Sequence, residues 1–395
     1  MKATTALPLK KRFLLVALAT ACLLPHPALA LVSLNDGSDH IYVTGTFGVS
    51  QDSNIFYQRQ ATSDFVYNAG VSAEYTRRAG WIGVNATVAV AVSHFDRNAG
   101  EDFQNPQLSL ELTKQTGRTT GSLSLSAQRQ NRADADVNLR TASWNYASTL
   151  NFHYPVIERY SFSGTLGYSW VNYEDRTLYS DLKTYTAGLN LFYILDNAHD
   201  LFAGYRYRRG EGPGNNASLP GRFTNTDHSF NLGVSGRVLP RINGALSVGY
   251  QIRQPKGRGE RDYHDLTSTG SLTYGINKKS SLTGQLSKDF STTASGTSID
   301  STTASLNFQY AVNARLTAST DVGWGRQRFL GRGGIIPGTT LHRQDTSFNW
   351  NASLNYRFSQ RLNVTAGYYF FQNWSNLGDA DFVRHSWNLS LTSRW

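Results

Sequence analysis

Ser386-Trp387-Asn388-Leu389-Ser390-Leu391-Thr392-Ser393-Arg394-Trp395 is the stretch on which the fold turns. Trp387, Leu389, Leu391, Ser393 and Trp395 alternate with Ser386, Asn388, Ser390, Thr392 and Arg394. Successive side chains of a β-strand point to opposite faces, so this segment carries one mainly apolar face and one small polar face. A strand in a soluble sandwich buries a bulky apolar face and exposes charge on the other. Here the polar face is Ser, Asn and Thr, which suits a hydrated interior, while the apolar face suits lipid.

The same two-residue pattern recurs upstream. Leu362, Val364, Ala366, Tyr368 and Phe370 share a face, as do Trp350, Ala352, Leu354 and Tyr356 opposite Asn349, Asn351, Ser353 and Asn355. Tyr185, Ala187, Leu189 and Leu191 oppose Thr186, Gly188 and Asn190, and Val84, Ala86, Val88, Val90 and Val92 form another outward row. Eighteen such segments are legible, with sixteen as the alternative count, and an even number is what a closed up-and-down barrel requires. The expected fold is all-β: a transmembrane antiparallel up-and-down barrel of about 18 strands over residues 31–395. Short turns such as Pro240-Arg241, Lys278-Lys279 and Ser359–Arg361 alternate with longer connections at 52–62, 96–103, 209–223, 254–263 and 328–341. In outer-membrane barrels short turns face the periplasm and long loops the exterior, which predicts periplasmic termini. No connection is long enough to form a separate plug domain.

Residues 1–30 are of a different kind. Lys2, Lys10, Lys11 and Arg12 precede the apolar run Phe13–Leu24, and Ala28-Leu29-Ala30 supplies a small-x-small cleavage site. This is the pattern of a secretory signal peptide, too short for a spanning helix. Cleavage after Ala30 removes Cys22, the sole cysteine, and leaves 34 Lys and Arg against 28 Asp and Glu. Cysteine-ligated metals are thereby excluded, and so modest a positive excess does not imply nucleic acid.

Chemistry-bearing patterns are sparse. The nine His are scattered without metal-ligand spacing, and no Gly-x-Ser-x-Gly elbow occurs. In Tyr263-His264-Asp265 the His and the acid, as strand neighbours, face opposite sides. The reading is therefore a non-enzyme with no catalytic residues, no metal and no cofactor. The basic residues say more. Arg206 and Arg208 share the face opposite Tyr205 and Tyr207, and with Arg253 they are expected to line the lumen and attract anions. Further basic residues gather at the long connections. Lys256, Arg258 and Arg261 surround one of them, and Arg326, Arg328, Arg332 and Arg343 another. All three basic groups, Arg206 and Arg208 included, are expected at the extracellular side, and the competing reading of them all is contact with lipopolysaccharide phosphates, or simple solvation. Asn190, Phe192, Asn349, Asn351 and Tyr369, also on inward positions, are candidates to meet sugar hydroxyls and ring faces.

Two resemblances add to this. The final ten residues resemble the C-terminal signature strand of bacterial outer-membrane proteins, with Trp387, Leu389, Leu391 and the terminal aromatic Trp395 at its alternate positions. That resemblance implies recognition by the barrel-assembly machinery and a Gram-negative outer membrane with its lipid and lipopolysaccharide. The segment Thr44-Gly45-Thr46-Phe47-Gly48-Val49-Ser50-Gln51-Asp52-Ser53-Asn54-Ile55-Phe56 resembles the first strand of the β-barrel porins associated with exopolysaccharide export. It implies a passive passage for secreted polysaccharide or another polar or anionic solute, with export components as partners. A closed barrel that anchors partners is the alternative, and a barrel enzyme comes third.

Overall fold

The computed structural model describes residues 31–34, 38–78, 80–136, 139–176, 179–213, 215–216, 219–220, 222–256, 261–336 and 338–395. The expected leader 1–30 and Arg258 lie outside the described residues.

Eighteen strands form the wall. They are β1 (Asp39–Asp52), β2 (Asp64–Arg77), β3 (Gly83–Phe95), β4 (Phe103–Lys114), β5 (Thr120–Asp134), β6 (Leu139–Ile157), β7 (Tyr160–Tyr173), β8 (Leu182–Ile194) and β9 (His199–Gly212). The second half comprises β10 (Phe223–Leu239), β11 (Ile242–Lys256), β12 (Tyr263–Gly275), β13 (Ser280–Thr292), β14 (Ser298–Ala311), β15 (Leu316–Phe329), β16 (Gln344–Arg357), β17 (Leu362–Ser375) and β18 (Phe382–Arg394). Each pairs antiparallel with the next, and β18 pairs with β1 from Thr44↔Arg394 to Asp52↔Ser386, closing the sheet on itself. Closure is what lets strands cross lipid, because an open edge there would leave backbone groups without partners.

Trp395 completes the seam. Its amide donates to the Val43 carbonyl at 2.9 Å, and the Val43 amide donates back at 3.1 Å. The Arg361 guanidinium stands over its ring at 5.1 Å. A short strand, Leu31–Leu34, pairs with Asp39–Tyr42 and continues the ladder along the edge of β1 that β18 leaves uncovered.

The two faces of the wall follow the two-residue alternation. Val88, Leu108, Leu166, Leu189, Leu232, Val248, Leu266, Leu306, Trp350 and Trp387 all project outward and are exposed in the bare barrel. Exposure to water would cost roughly 1.5–3 kcal/mol per such side chain. A belt of this kind around the whole circumference is explained by lipid. Within the belt, Tyr368 lies against Trp387 at 4.4 Å and edge-on to Trp350 at 5.6 Å. The inner face is tied by short side chains: Thr165 donates to Asn151 at 2.8 Å, Asn355 to Thr365 at 2.8 Å, and Ser319 meets Ser353 at 2.7 Å.

The start of β1 and the C-terminal Trp395 share one end of the barrel with the short turns, and the longer connections lie at the other, here termed the loop end. The sequence singles out five connections at the loop end. The structure places four more there, joining β5 to β6, β7 to β8, β13 to β14 and β17 to β18. They hold four to eight residues, little more than the terminal-end turns, so length does not set them apart in the sequence.

At the terminal end, Pro240-Arg241 joins β10 to β11 between the paired Leu239 and Ile242. Arg241 takes φ +70°, a left-handed conformation that costs a side-chain-bearing residue about 1 kcal/mol. Arg241→Gly is expected to raise the urea midpoint of unfolding from lipid, a gain of roughly 0.5–1 kcal/mol. An unchanged midpoint would mean that the Arg241 contact with the Ile276 carbonyl, at 3.5 Å, offsets the strain.

Candidate functional site at the mouth of the barrel

The wall is interrupted on one side of the loop end. β12 and β13 pair only as far as Ser268↔Lys288, whereas β13 and β14 remain paired to Thr292↔Ser298. Beyond Lys288 the β13–β14 hairpin parts from β12 and turns into the lumen. Its contacts require this. β13 is four strands from β9, about 19 Å along the wall at the usual strand spacing, too far for an Arg–Asp pair to bridge. Even so, Asp289 accepts from Arg206 at 2.8 Å and from Arg208 at 3.0 and 3.1 Å. The Arg253 guanidinium donates to the Ser291 carbonyl at 2.5 Å and stands over the Phe290 ring at 5.2 Å. Asn225 reaches Thr292 at 3.3 Å, and the Ser180 amide donates to the Ala294 carbonyl at 3.0 Å. Phe290, Ala294, Thr297 and Ile299 are buried as a result.

The three arginines expected to line the lumen therefore come together, pointing inward as the alternation requires. They are not free cations. Asp227 on β10 takes a bidentate pair from Arg253 at 2.6 and 2.8 Å and a further bond from Arg208 at 2.7 Å. Arg253 and Asp227 are only 2% and 3% exposed in their side chains, so each depends on the other for compensation. Three guanidinium groups and two carboxylates leave one net positive charge. Their structural work is to clamp the inward hairpin. Asp227 and Asp289 escape sequence reasoning because they become partners only through cross-strand register and the departure of the hairpin. One signal is present: Lys288 stands on the lipid-facing parity after Leu282, Gly284 and Leu286, as expected where a strand leaves the membrane.

Two other inward pieces narrow the mouth. The connection between β5 and β6 reaches across the mouth to the start of β16, seven to eight strands away around the wall, where Arg343 donates to the carbonyls of Ala135 at 3.1 Å and Asp136 at 2.6 Å. Asp345 holds the same guanidinium at 3.0 and 3.1 Å. Burial, with Asp134 and Asp345 nearby, pushes the Asp136 carboxyl up to about 7 despite Arg343. On the third side the 53–63 connection buries Asn54 and Ile55 and packs Ile55 with Phe95, Phe56 and Phe103. Arg140 lies over Phe95 at 5.0 Å and pairs with Glu101 at 3.2 Å. Arg384 pairs with Asp52 at 2.7 Å and lies over Tyr57 at 4.9 Å and Tyr369 at 5.3 Å.

The candidate sugar-contacting residues divide into two sets. Asn349 and Asn351 on β16 stand in register with Phe371 and Tyr369 on β17, forming one patch. Tyr369 stacks on Phe371 with ring centroids 6.4 Å apart. Asn190 and Phe192 lie on β8, close to half the circumference away, with Phe192 against Phe202 at 5.3 Å. The two sets face each other across the lumen and do not form one site. Trp387 and Leu389 project outward, in agreement with their place on the apolar face of the last strand.

Residues 230–395 match the family described as "Putative beta-barrel porin 2". Over this C-terminal stretch, less than half of the chain, the barrel is similar to that porin family. The match begins in β10 and takes in the clamp residue Arg253 and the whole inward hairpin. Among solved structures, the barrel is similar to the siderophore receptor PirA from Pseudomonas aeruginosa at 9% identity, covering 90% of this chain and 80% of that one with a TM-score of 0.47. It is also similar to OccAB3 from Acinetobacter baumannii at 11% identity, covering 90% of this chain and 99% of that one with a TM-score of 0.42. At such similarity nothing that those proteins bind or carry is transferred to this barrel. No curated protein matches the sequence.

Proposed function

We propose that this barrel is a passive outer-membrane channel for polar solutes, among them secreted polysaccharide, with the loop end outside the cell and both termini in the periplasm. The observation that carries the reading is the inner face. Small hydroxyl and amide side chains line a closed wall of eighteen strands, a size that leaves an aqueous passage unless something fills it. The inward hairpin then acts as a constriction rather than a plug. With Asp227 and Asp289 offsetting most of the charge on Arg206, Arg208 and Arg253, selectivity for anions is mild, and neutral or weakly acidic glycans suit the passage. No catalytic step is proposed. Trp395 and the strand before it serve barrel assembly, and polysaccharide-export components are the expected periplasmic partners.

Planar-bilayer recording tests this. Discrete conductance steps with a small anion preference in the reversal potential are expected, and soluble acidic glycan should reduce the current from the periplasmic face. A barrel that stays silent at all voltages and salts overturns the channel. It would favour a closed, partner-anchoring barrel, in keeping with the contacts that cross the mouth.

A further inference from the structure

Where the β13–β14 hairpin turns inward, it leaves a notch in the wall. The upper part of β12, residues 263–267, remains paired with β11 but has no ladder partner toward β13. The wall resumes at β14 and β15, which stay paired to Ile299↔Phe329. Among the described residues the opening is spanned by side-chain contacts: Thr267 on β12 donates to the Lys288 carbonyl at 2.9 Å, and Asp265 accepts from Lys288 at 2.7 Å and from Arg328 at 2.7 Å. Behind them lies a cavity of about 500 Å³. Unpaired strand edges are excluded from the hydrocarbon, so the notch must sit at or above the membrane surface. The outer face agrees. Leu266, 66% exposed, is one residue below Asp265, and the exposed Trp324 is four below Arg328.

The lining of this cavity has three properties. Arg261 and Arg332 contribute cationic heads that pair with no carboxylate among the described residues, and His264 and His342 stand beside them. Asp300, only 4% exposed, pairs with Arg328 through one oxygen and lies beside Asp265, while its Oδ1 is buried without a donor among the described residues. The rim carries the exposed apolar side chains Leu266 and Leu341. Together these provide donors for a phosphate, an acceptor for a hydroxyl or amide N–H, and an apolar approach from the membrane side.

We propose that the notch between β12 and β14 binds the phosphorylated sugar headgroup of an outer-leaflet glycolipid, lipid A, with its phosphate on Arg261 and Arg332 and its acyl chains along Leu266. The site rests on the outward placement of the loop end but not on conductance. The ligand replaces the missing ladder partner, sealing the wall where the hairpin departs. It also assigns a role to basic residues that the channel does not use.

The test is binding of lipid A to the purified barrel in detergent, followed by native mass spectrometry, with dephosphorylated lipid A, phosphatidylcholine and inorganic phosphate as comparison probes. Lipid A should bind, and loss of its phosphates should weaken binding about tenfold or more. The double variant Arg261→Ser, Arg332→Ser should weaken it by a similar factor, while heat-modifiable migration and bilayer conductance stay as in the parent. Binding unchanged in the double variant, equal binding of phosphatidylcholine, or inorganic phosphate binding as tightly as the lipid would each overturn the assignment. Loss of lipid binding with conductance intact separates this site from the channel itself.

Discussion

Asp227→Asn combined with Asp289→Asn is expected to release the β13–β14 hairpin and raise single-channel conductance roughly two-fold or more, toward that of an unobstructed barrel of this strand number. The substitutions keep side-chain shape and remove the two carboxylates that hold Arg206, Arg208 and Arg253. Removing one partner of a buried pair costs about 3–5 kcal/mol, because the charge left behind has no compensation. The β13 arm is the freer side of the hairpin, since its pairing with β12 ends at Ser268, whereas β14 stays on β15 up to Ile299. Three uncompensated guanidinium groups would also shift the reversal potential strongly toward anions. Two readouts therefore move together, current and selectivity. A complementary variant keeps the clamp and fixes the tip. Ser180→Cys with Ala294→Cys places thiols where the two backbones already meet at 3.0 Å. If the oxidised pair restores low conductance to the double Asn variant and reduction raises it again, hairpin motion is the cause. Parental conductance and selectivity in the double Asn variant would show that the hairpin does not constrict the passage.

Raising the pH from 5 to 8 is expected to loosen the β5–β6 tip from Arg343 and increase the open fraction, and Asp136→Asn should abolish that dependence. Docked, the Asp136 carboxyl is pushed up to about 7, chiefly by burial and then by Asp134, with Asp345 adding to it and Arg343 opposing it. Undocked and solvated, it returns to the ordinary carboxylate range. The docked state thus binds the proton more tightly. Its advantage is full below the ordinary range and declines as pH rises, levelling off above about 7. Across that window the change amounts to a few kcal/mol at most, enough to shift a latch held by two carbonyl bonds to Arg343. Asp136→Asn retains the size and loses the charge, so the tip should stay docked at both pH values. Arg343→Gln should give high open probability throughout. A parent channel whose gating is flat from pH 5 to 8 would rule out the latch.

The lipid-facing rows and the inward positions of Arg206, Arg208, Asn190, Asn349 and Tyr369 are legible in the sequence because each depends only on parity along one strand. Arg208 is a plain case: its face follows from Tyr207, two residues from Tyr205. Its partners do not follow, because Asp227 is reached through the register of β9 on β10, and Asp289 only after a hairpin eighty residues further on has left the wall. The expectation of an anion-attracting row thus had the side chains on the right face but lacked the carboxylates that neutralise them. The connection 293–297 shows the same limit. Nothing in Thr293-Ala294-Ser295-Gly296-Thr297 marks it as buried beneath a mouth, since it is Ser180 that bonds Ala294, and Asn225 and Arg253 that hold Thr292 and Ser291 just before it.

The sequence by itself determined the barrel: period-two alternation over eighteen segments, lipid on one face, water on the other, and a terminal strand ending at Trp395. Local chemistry suffices there, because every strand faces the same two solvents and repeats the same answer. Only the tertiary structure decided where that regularity is broken. The inward hairpin, its Arg–Asp clamp, the latch on Arg343 and the notch beside β12 arise from side chains distant in sequence meeting at the loop end, where lipid no longer dictates the pattern.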